Sequence, residues 1–299
     1  MRNSSDLPWD IVQILDEPVW RARAGAHAAA VEQLSADRLA RRVEGRTHPV
    51  DDFLWEYYAF RPAQLARWHP GPQVALAGAA AEREDWAFYA TGAGAAYLDA
   101  EGFAQRRGRT VAFVRDLLIA TLSRPGRFGC FGLHEWAMVY RATPEQVRHG
   151  GWPLRLGPAG TDEVVESHTV ACSHFDAYRF FTPEATPRNT LTPTRERQLE
   201  LEQPGCLHAG MDLYKWCFKL SPAVPSDLTL DAFRLARDVR ELDMRAAPYD
   251  LRELGYEPVR IETTEGKAEY VEAQRTFTVR SNDLRRRLLD ALAALPEVP

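Results

Sequence analysis

The sequence predicts a mainly α, α+β fold: a single helix-rich domain with a small β-sheet. Three observations carry this. Apolar residues recur at helical spacing over most of the chain. The hydrophobic content of 45% is that of a globular chain with a proper core. Only two short stretches, 164–172 and 259–263, read as strands.

Taken in order, residues 1–26 read as an N-terminal extension and 27–299 as the helix-rich core. Residues 27–44 carry an Ala/Leu/Arg pattern, a helix or a broken pair of helices. A second helix spans 50–61, opened by Pro49, Asp51 and Asp52 and interrupted by Pro62. The Ala/Gly-rich stretch 70–96 favours neither state. Residues 99–123 form a long amphipathic helix ended by Arg124-Pro125-Gly126. A further helix is expected at 131–141. The Pro-rich stretch 182–206 reads as a long loop, the kind that is usually functional. Since it joins His174 and Asp176 to His208, it is expected at the mouth of a site. Helices follow at 208–220, 226–246 (with Ser226 as N-cap) and 282–294.

All four cysteines and five of the eight histidines fall between Cys130 and Cys217. The stretch contains Cys130-x3-His134, His149, His168, Cys172-x-His174-x-Asp176 and Cys206-x-His208-x3-Asp212-x2-Lys215. Groups that ligate a metal or move a proton near pH 7 are scarce elsewhere. The cysteine spacings match no common zinc pattern, so the thiols read as small buried hydrophobes. His134-Glu135-Trp136 lacks the second histidine of a metalloprotease helix. Neither a Walker A loop, a G-x-G-x-x-G turn nor a G-x-S-x-G elbow is present.

Three helices place charge on apolar faces. On 208–220, His208, Asp212, Lys215 and Lys219 fall within roughly 60° of one another. The rest of that wheel is apolar or aromatic, so the stripe faces a polar cavity or an exposed edge. On 52–61, Asp52 and Glu56 stand alone among aromatics, as a ligand site or as arginine partners. On 226–246, Asp243 lies beside Ala236 and Val239, on the apolar side. A carboxylate there is either locked to an arginine or functional, because burial unpaired costs several kcal/mol.

Several segments carry a family resemblance. They include His48-Pro-Val-Asp-Asp-Phe-Leu-Trp-Glu-Tyr-Tyr and Phe128-Gly-Cys-Phe-Gly-Leu-His-Glu-Trp-Ala-Met-Val-Tyr-Arg. Cys172-Ser-His-Phe-Asp-Ala-Tyr-Arg-Phe-Phe, Pro204-Gly-Cys-Leu-His-Ala-Gly-Met-Asp-Leu-Tyr-Lys-Trp and Arg240-Glu-Leu-Asp-Met-Arg complete them. Over about residues 45–280 the chain resembles a bacterial family of roughly 300 residues named 3-methyladenine DNA glycosylase, without a helix-hairpin-helix segment. The resemblance implies an N-glycosidic-bond hydrolase of DNA repair that releases an alkylated purine from DNA or a nucleoside-like substrate, without a cofactor. In that chemistry a base is held between aromatic side chains, for which Trp55, Tyr57, Tyr58, Trp136 and Trp216 are candidates. Asp243, Asp212 and Asp176 are the candidate carboxylates, and His208 or His134 would protonate the leaving base. Glu56, Glu135, His174, Arg179 and Lys215 complete the candidate binding residues.

Two alternatives stand beside it. One is a non-haem enzyme with iron or zinc on His174, Asp176 and His208, acting on a small polar metabolite. The other is a non-catalytic anion-binding protein. Net charge is −5, which gives no general attraction to nucleic acid. With neither an apolar run of membrane-spanning length nor a signal-like start, the expected location is the cytoplasm, away from membranes.

Overall fold

The computed structural model describes residues 7–147 and 151–297, so His149 lies outside the described residues. Among these, the fold is helix-rich α+β with one small four-stranded sheet. The order is β1 (Gln13–Leu15), α1 (Glu17–Val43), α2 (Phe53–Tyr57), α3 (Pro62–Leu65), β2 (Val74–Ala77), α4 (Ala80–Arg83), β3 (Tyr89–Gly92), β4 (Ala95–Leu98) and α5 (Ala100–Leu122). Then come α6 (Leu133–Ala137), α7 (Gly157–Ser167), α8 (Phe175–Tyr178), α9 (Gln198–Leu201), α10 (Leu207–Lys219), α11 (Ser226–Ala246) and α12 (Thr264–Ala293).

The chain gathers into two compact units. The first takes the chain up to Asp116, Tyr214–Phe233 and the segment from Leu284; the second takes Leu117–Leu213 and Arg234–Asp283. Helices α5, α10, α11 and α12 each give one part of their length to each unit.

The first unit holds the sheet, in the order β1-β2-β4-β3. β1 runs parallel to β2, while β4 is antiparallel to both β2 and β3. Ala93 and Gly94, both at positive φ, make the two-residue turn between β3 and β4, as tight hairpins require. The strands are short and rich in alanine, so the sheet is thin. Trp20 packs against Leu15, Trp68, Leu76, Ala79 and Ala96 on one face and donates its indole N–H to the Ala77 carbonyl at 2.9 Å. Thus residues 13–26 are built into the fold as β1 and the start of α1. Pro18 in the first turn of α1 and Arg41 and Arg42 in its last suit the helix ends.

Elsewhere the elements depart from the periodicity in explicable ways. α2 stops early because Ala59 takes a positive φ of 54°. The stretch expected as a strand at 164–172 begins as the end of α7, whose Thr161, Val164 and Val165 are buried at helical spacing, and continues as irregular chain. Only Val170 makes a bridge, to Asn189. Residues 259–263 form a turn with Val259 and Ile261 buried. The helix expected at 282–294 is the C-terminal part of the longer α12. Ser226 opens α11 as expected, but its hydroxyl accepts from the His69 amide at 2.8 Å and donates to the Arg67 carbonyl.

Candidate functional site

The second unit concentrates its buried charge at one place. Phe131 and Gly132, at φ 47° and 73°, turn the chain sharply into the five-residue α6. A side chain at Gly132 would meet Ala246 at 3.3 Å and Tyr270 at 3.4 Å, so α6 seats closely on its neighbours. Trp136 fixes that seat by donating its indole N–H to the Ala246 carbonyl at 2.8 Å. His134 and Glu135 then face α11. His134 Nε2 donates to Asp243 Oδ1 at 2.8 Å, and Arg240 Nη1 reaches Glu135 Oε1 at 3.1 Å and Asp243 Oδ2 at 3.4 Å. These four side chains are all buried. Arg240 and Asp243 are three residues apart, hence neighbours on one helix face.

A second pair lies close by. His174 precedes α8 and donates from Nε2 to Asp212 Oδ2 at 3.3 Å. His208, one turn before Asp212 on α10, stands between the two pairs. Its ring is edge-on to His134, with centroids 4.5 Å apart, and stacked on His174 at 5.3 Å. His134, His208 and Asp243 each bring one donor atom to within 4.8 Å of the others.

Burial opposes a charge on His134, but the Asp243 carboxylate and its hydrogen bond, with Cys130, hold the imidazolium pKa well above the ordinary histidine range. Burial likewise works against the Asp243 anion, and His134, His208 and Arg240 hold its carboxyl well below the usual range. The proton stays on His134. For His208, burial and the neighbouring His134 charge push the pKa well below the ordinary value, so it is neutral. A proton-rich and a proton-poor imidazole therefore touch.

Both rings line a cavity of about 270 Å³. Cys130, Cys172, Cys206 and Tyr270 line it too, with Thr190, Leu191 and Gln203 from the loop and Gln274 from α12. The 182–206 loop thus supplies part of the wall, and it carries α9 and a short 3-10 turn at Thr186–Arg188. All four cysteines are free thiols, with Cys130 and Cys206 half-buried. Cys130 Sγ lies 3.5 Å from His134 Nδ1. Burial pushes the Cys206 thiol up to about 12 and that of Cys172 well up.

Comparison with family models, curated proteins and solved structures finds no match. Function must be read from the site itself.

The structure assembles His134, His174, His208, Asp212 and Asp243 from the candidates named by sequence. Other candidates fall elsewhere. Asp176 pairs with Arg179 at 3.4 Å, and neither lines the cavity, so His174, Asp176 and His208 do not form a ligand triad. Trp136 is packing. Trp55, Tyr57, Tyr58, Lys215 and Trp216 belong to the first unit. There Trp55 packs on Phe233, Tyr58 on Tyr214 and Tyr57 on Phe53, while Lys215 lies over the Trp216 ring at 4.4 Å. Glu56 is exposed in that unit, and Asp52 pairs with Arg41 at 2.7 Å. The aromatic base sandwich expected from the resemblance is therefore not at this cavity. Sequence reasoning missed Arg240, Tyr270, Gln274 and the three cavity thiols. Arg240 was detectable, because it shares the misplaced apolar side with Asp243.

Proposed function

We propose that the second unit carries a metal-dependent enzyme site, of the non-haem type, acting on a small polar molecule. The observation that carries this is the convergence of His134, His208 and Asp243 within 4.8 Å beside a cavity. Two imidazoles and a carboxylate are the set that leaves positions open on a non-haem iron or catalytic zinc ion. Ligand atoms on one such ion stand about 3–3.5 Å apart at bond lengths of about 2.0–2.2 Å, so small side-chain shifts close the set. Without an ion, the proton on His134 balances Asp243, and metal entry displaces it. Around the set, Arg240 and Glu135 steady Asp243, and the His174–Asp212 pair steadies His208 by stacking. Such outer partners orient ligands and tune a metal.

A cofactor-free N-glycosidase, the activity the resemblance implies, is the second reading. The contact of charged His134 with neutral His208 favours it. His134 would protonate the leaving base and His208 would take a proton from water. A free buried carboxylate facing the sugar has less support, since Asp243 engages His134 and Arg240 and Asp212 engages His174. Elemental analysis of the full chain purified without chelator separates the two. The metal reading expects about one equivalent of zinc or iron, lost in His208→Ala. The N-glycosidase reading expects base release from a nucleoside with no metal present.

A further inference from the structure

We infer that the cavity takes a small cyclic amide, a lactam, whose cis-amide edge is held between the Tyr270 hydroxyl and the side-chain oxygen of Gln274. The inference names a substrate class for the site described above, and it rests on the metal reading for the ligand's role as substrate.

Both residues stand on α12, one turn apart, so they share a helix face. Both line the cavity together with His134 and His208, and each is 1% exposed. The Gln274 amide has a fixed orientation. Its nitrogen donates to the Gly205 carbonyl, which can only accept, so its oxygen is the end left over. That oxygen is buried without a hydrogen-bond partner. Buried acceptors left unpaired are rare and costly. Tyr270 supplies the complementary group, a phenol O–H that donates at neutral pH. Among the described residues its hydroxyl makes no hydrogen bond. It lies beside the turn into α6, because a side chain added at Gly132 would begin 3.6 Å from the Tyr270 oxygen.

A donor and an acceptor on one helix face fit a ligand that offers C=O and N–H on a single edge. A cis amide does so, and a ring enforces the cis form. In this orientation the carbonyl lies on the Gly132 side, where α6 begins and delivers His134. Among the described lining residues there is no carboxylate, so nothing in the wall balances a cationic ligand. The volume of about 270 Å³ is at the small end for a ligand site. Ala171, Leu191 and Leu207 give it an aliphatic wall, and Tyr270 is the one aromatic lining residue besides the two imidazoles. A nucleobase can offer the same amide edge, but a flat base is held by stacking between aromatic side chains. A saturated lactam fits these walls better.

The probe is δ-valerolactam, titrated into the full chain after chelator treatment and followed by ligand-observed NMR, with metal content measured separately. The inference expects binding, weakened at least about tenfold when the lactam is N-methylated, since that removes the donor and leaves Gln274 unpaired. Tyr270→Phe deletes only the hydroxyl and is expected to weaken binding about 3- to 10-fold with metal content unchanged. Gln274→Met is expected to erase the difference between the two lactams. If that variant does not fold, the N-methyl comparison in the unmodified chain and Tyr270→Phe still decide. Equal binding of the two lactams, or no loss in Tyr270→Phe, overturns the amide edge. Uracil, the same edge on a flat ring, is expected to bind more weakly, and uracil bound in place of δ-valerolactam overturns the lactam class in favour of a base. A chain that holds metal but not δ-valerolactam overturns this inference alone. Lactam binding by a chain that takes up no metal leaves the amide edge standing and removes the metal reading.

Discussion

Nε2 of His134 meets Oδ1 of Asp243 at 2.8 Å, across 109 positions of sequence and with both side chains buried. The pair joins the five-residue α6 to α11, and Arg240 ties Glu135 into the same group. His134 and Arg240 are cations there, and Glu135 and Asp243 are their partners. A buried group of this kind is sensitive to losing any one member, because the remainder is left uncompensated.

Arg240→Leu tests that balance. It removes the buried cation that reaches both Glu135 and Asp243, and the expected loss of stability is about 3–5 kcal/mol, measured by urea denaturation. A change below about 1 kcal/mol would mean that Arg240 is dispensable to the group.

Gly132→Val addresses the turn that delivers His134. The position has φ 73°, and an added Cβ lies 3.3 Å from Ala246. Strain of this kind costs about 1–3 kcal/mol. The variant is expected to lose that much stability and, by displacing α6, to lose metal as well. Unchanged metal content would show that α6 keeps its seat without the glycine.

The first unit carries its own acid sensitivity. His69 is half-buried beside Tyr89, 3.0 Å from the phenol oxygen. Burial first, then Arg83 and Arg67, lowers its pKa from 6.5 to about 3. The unfolded chain therefore binds a proton at His69 that the folded chain refuses. Its contribution is fully present above pH 6.5 and is lost progressively as pH falls toward 3. The loss reaches roughly 4 kcal/mol. In His69→Asn the fall of the first unit's stability across this window should flatten, and a parallel fall in both proteins would contradict the assignment.

How far the sequence foretold this arrangement depends on the kind of signal. α11 runs over Ser226–Ala246 as read, since its apolar and charged faces are both complete. Its outer face is cross-linked to α12 by Asp238–Arg280 and Arg245–Glu269. The sheet was illegible because β2 and β4 are each half alanine, without β-branched alternation beyond Val74. Asp243 stood out on a helical wheel because a carboxylate on an apolar face has few physical explanations. The thiols did not, since cysteine is equally at home in packing. Cys217 is buried in the first unit, and only the fold separates it from the other three. The aromatics near Trp55 are ambiguous for a related reason. Aromatic residues at helical spacing look alike whether they stack on a ligand or, as Tyr58 does on Tyr214, on one another.

The most direct test of the central claim is the metal content of the full chain, purified under reducing conditions without chelator, by elemental analysis. The site described here predicts about one equivalent of zinc or iron, absent in His134→Ala and His208→Ala variants that remain folded. It also predicts a lower melting temperature once a chelator removes the metal, because an ion that binds only the folded chain stabilises it. A folded chain with no bound metal, and no melting shift when zinc or iron(II) is supplied, would contradict it.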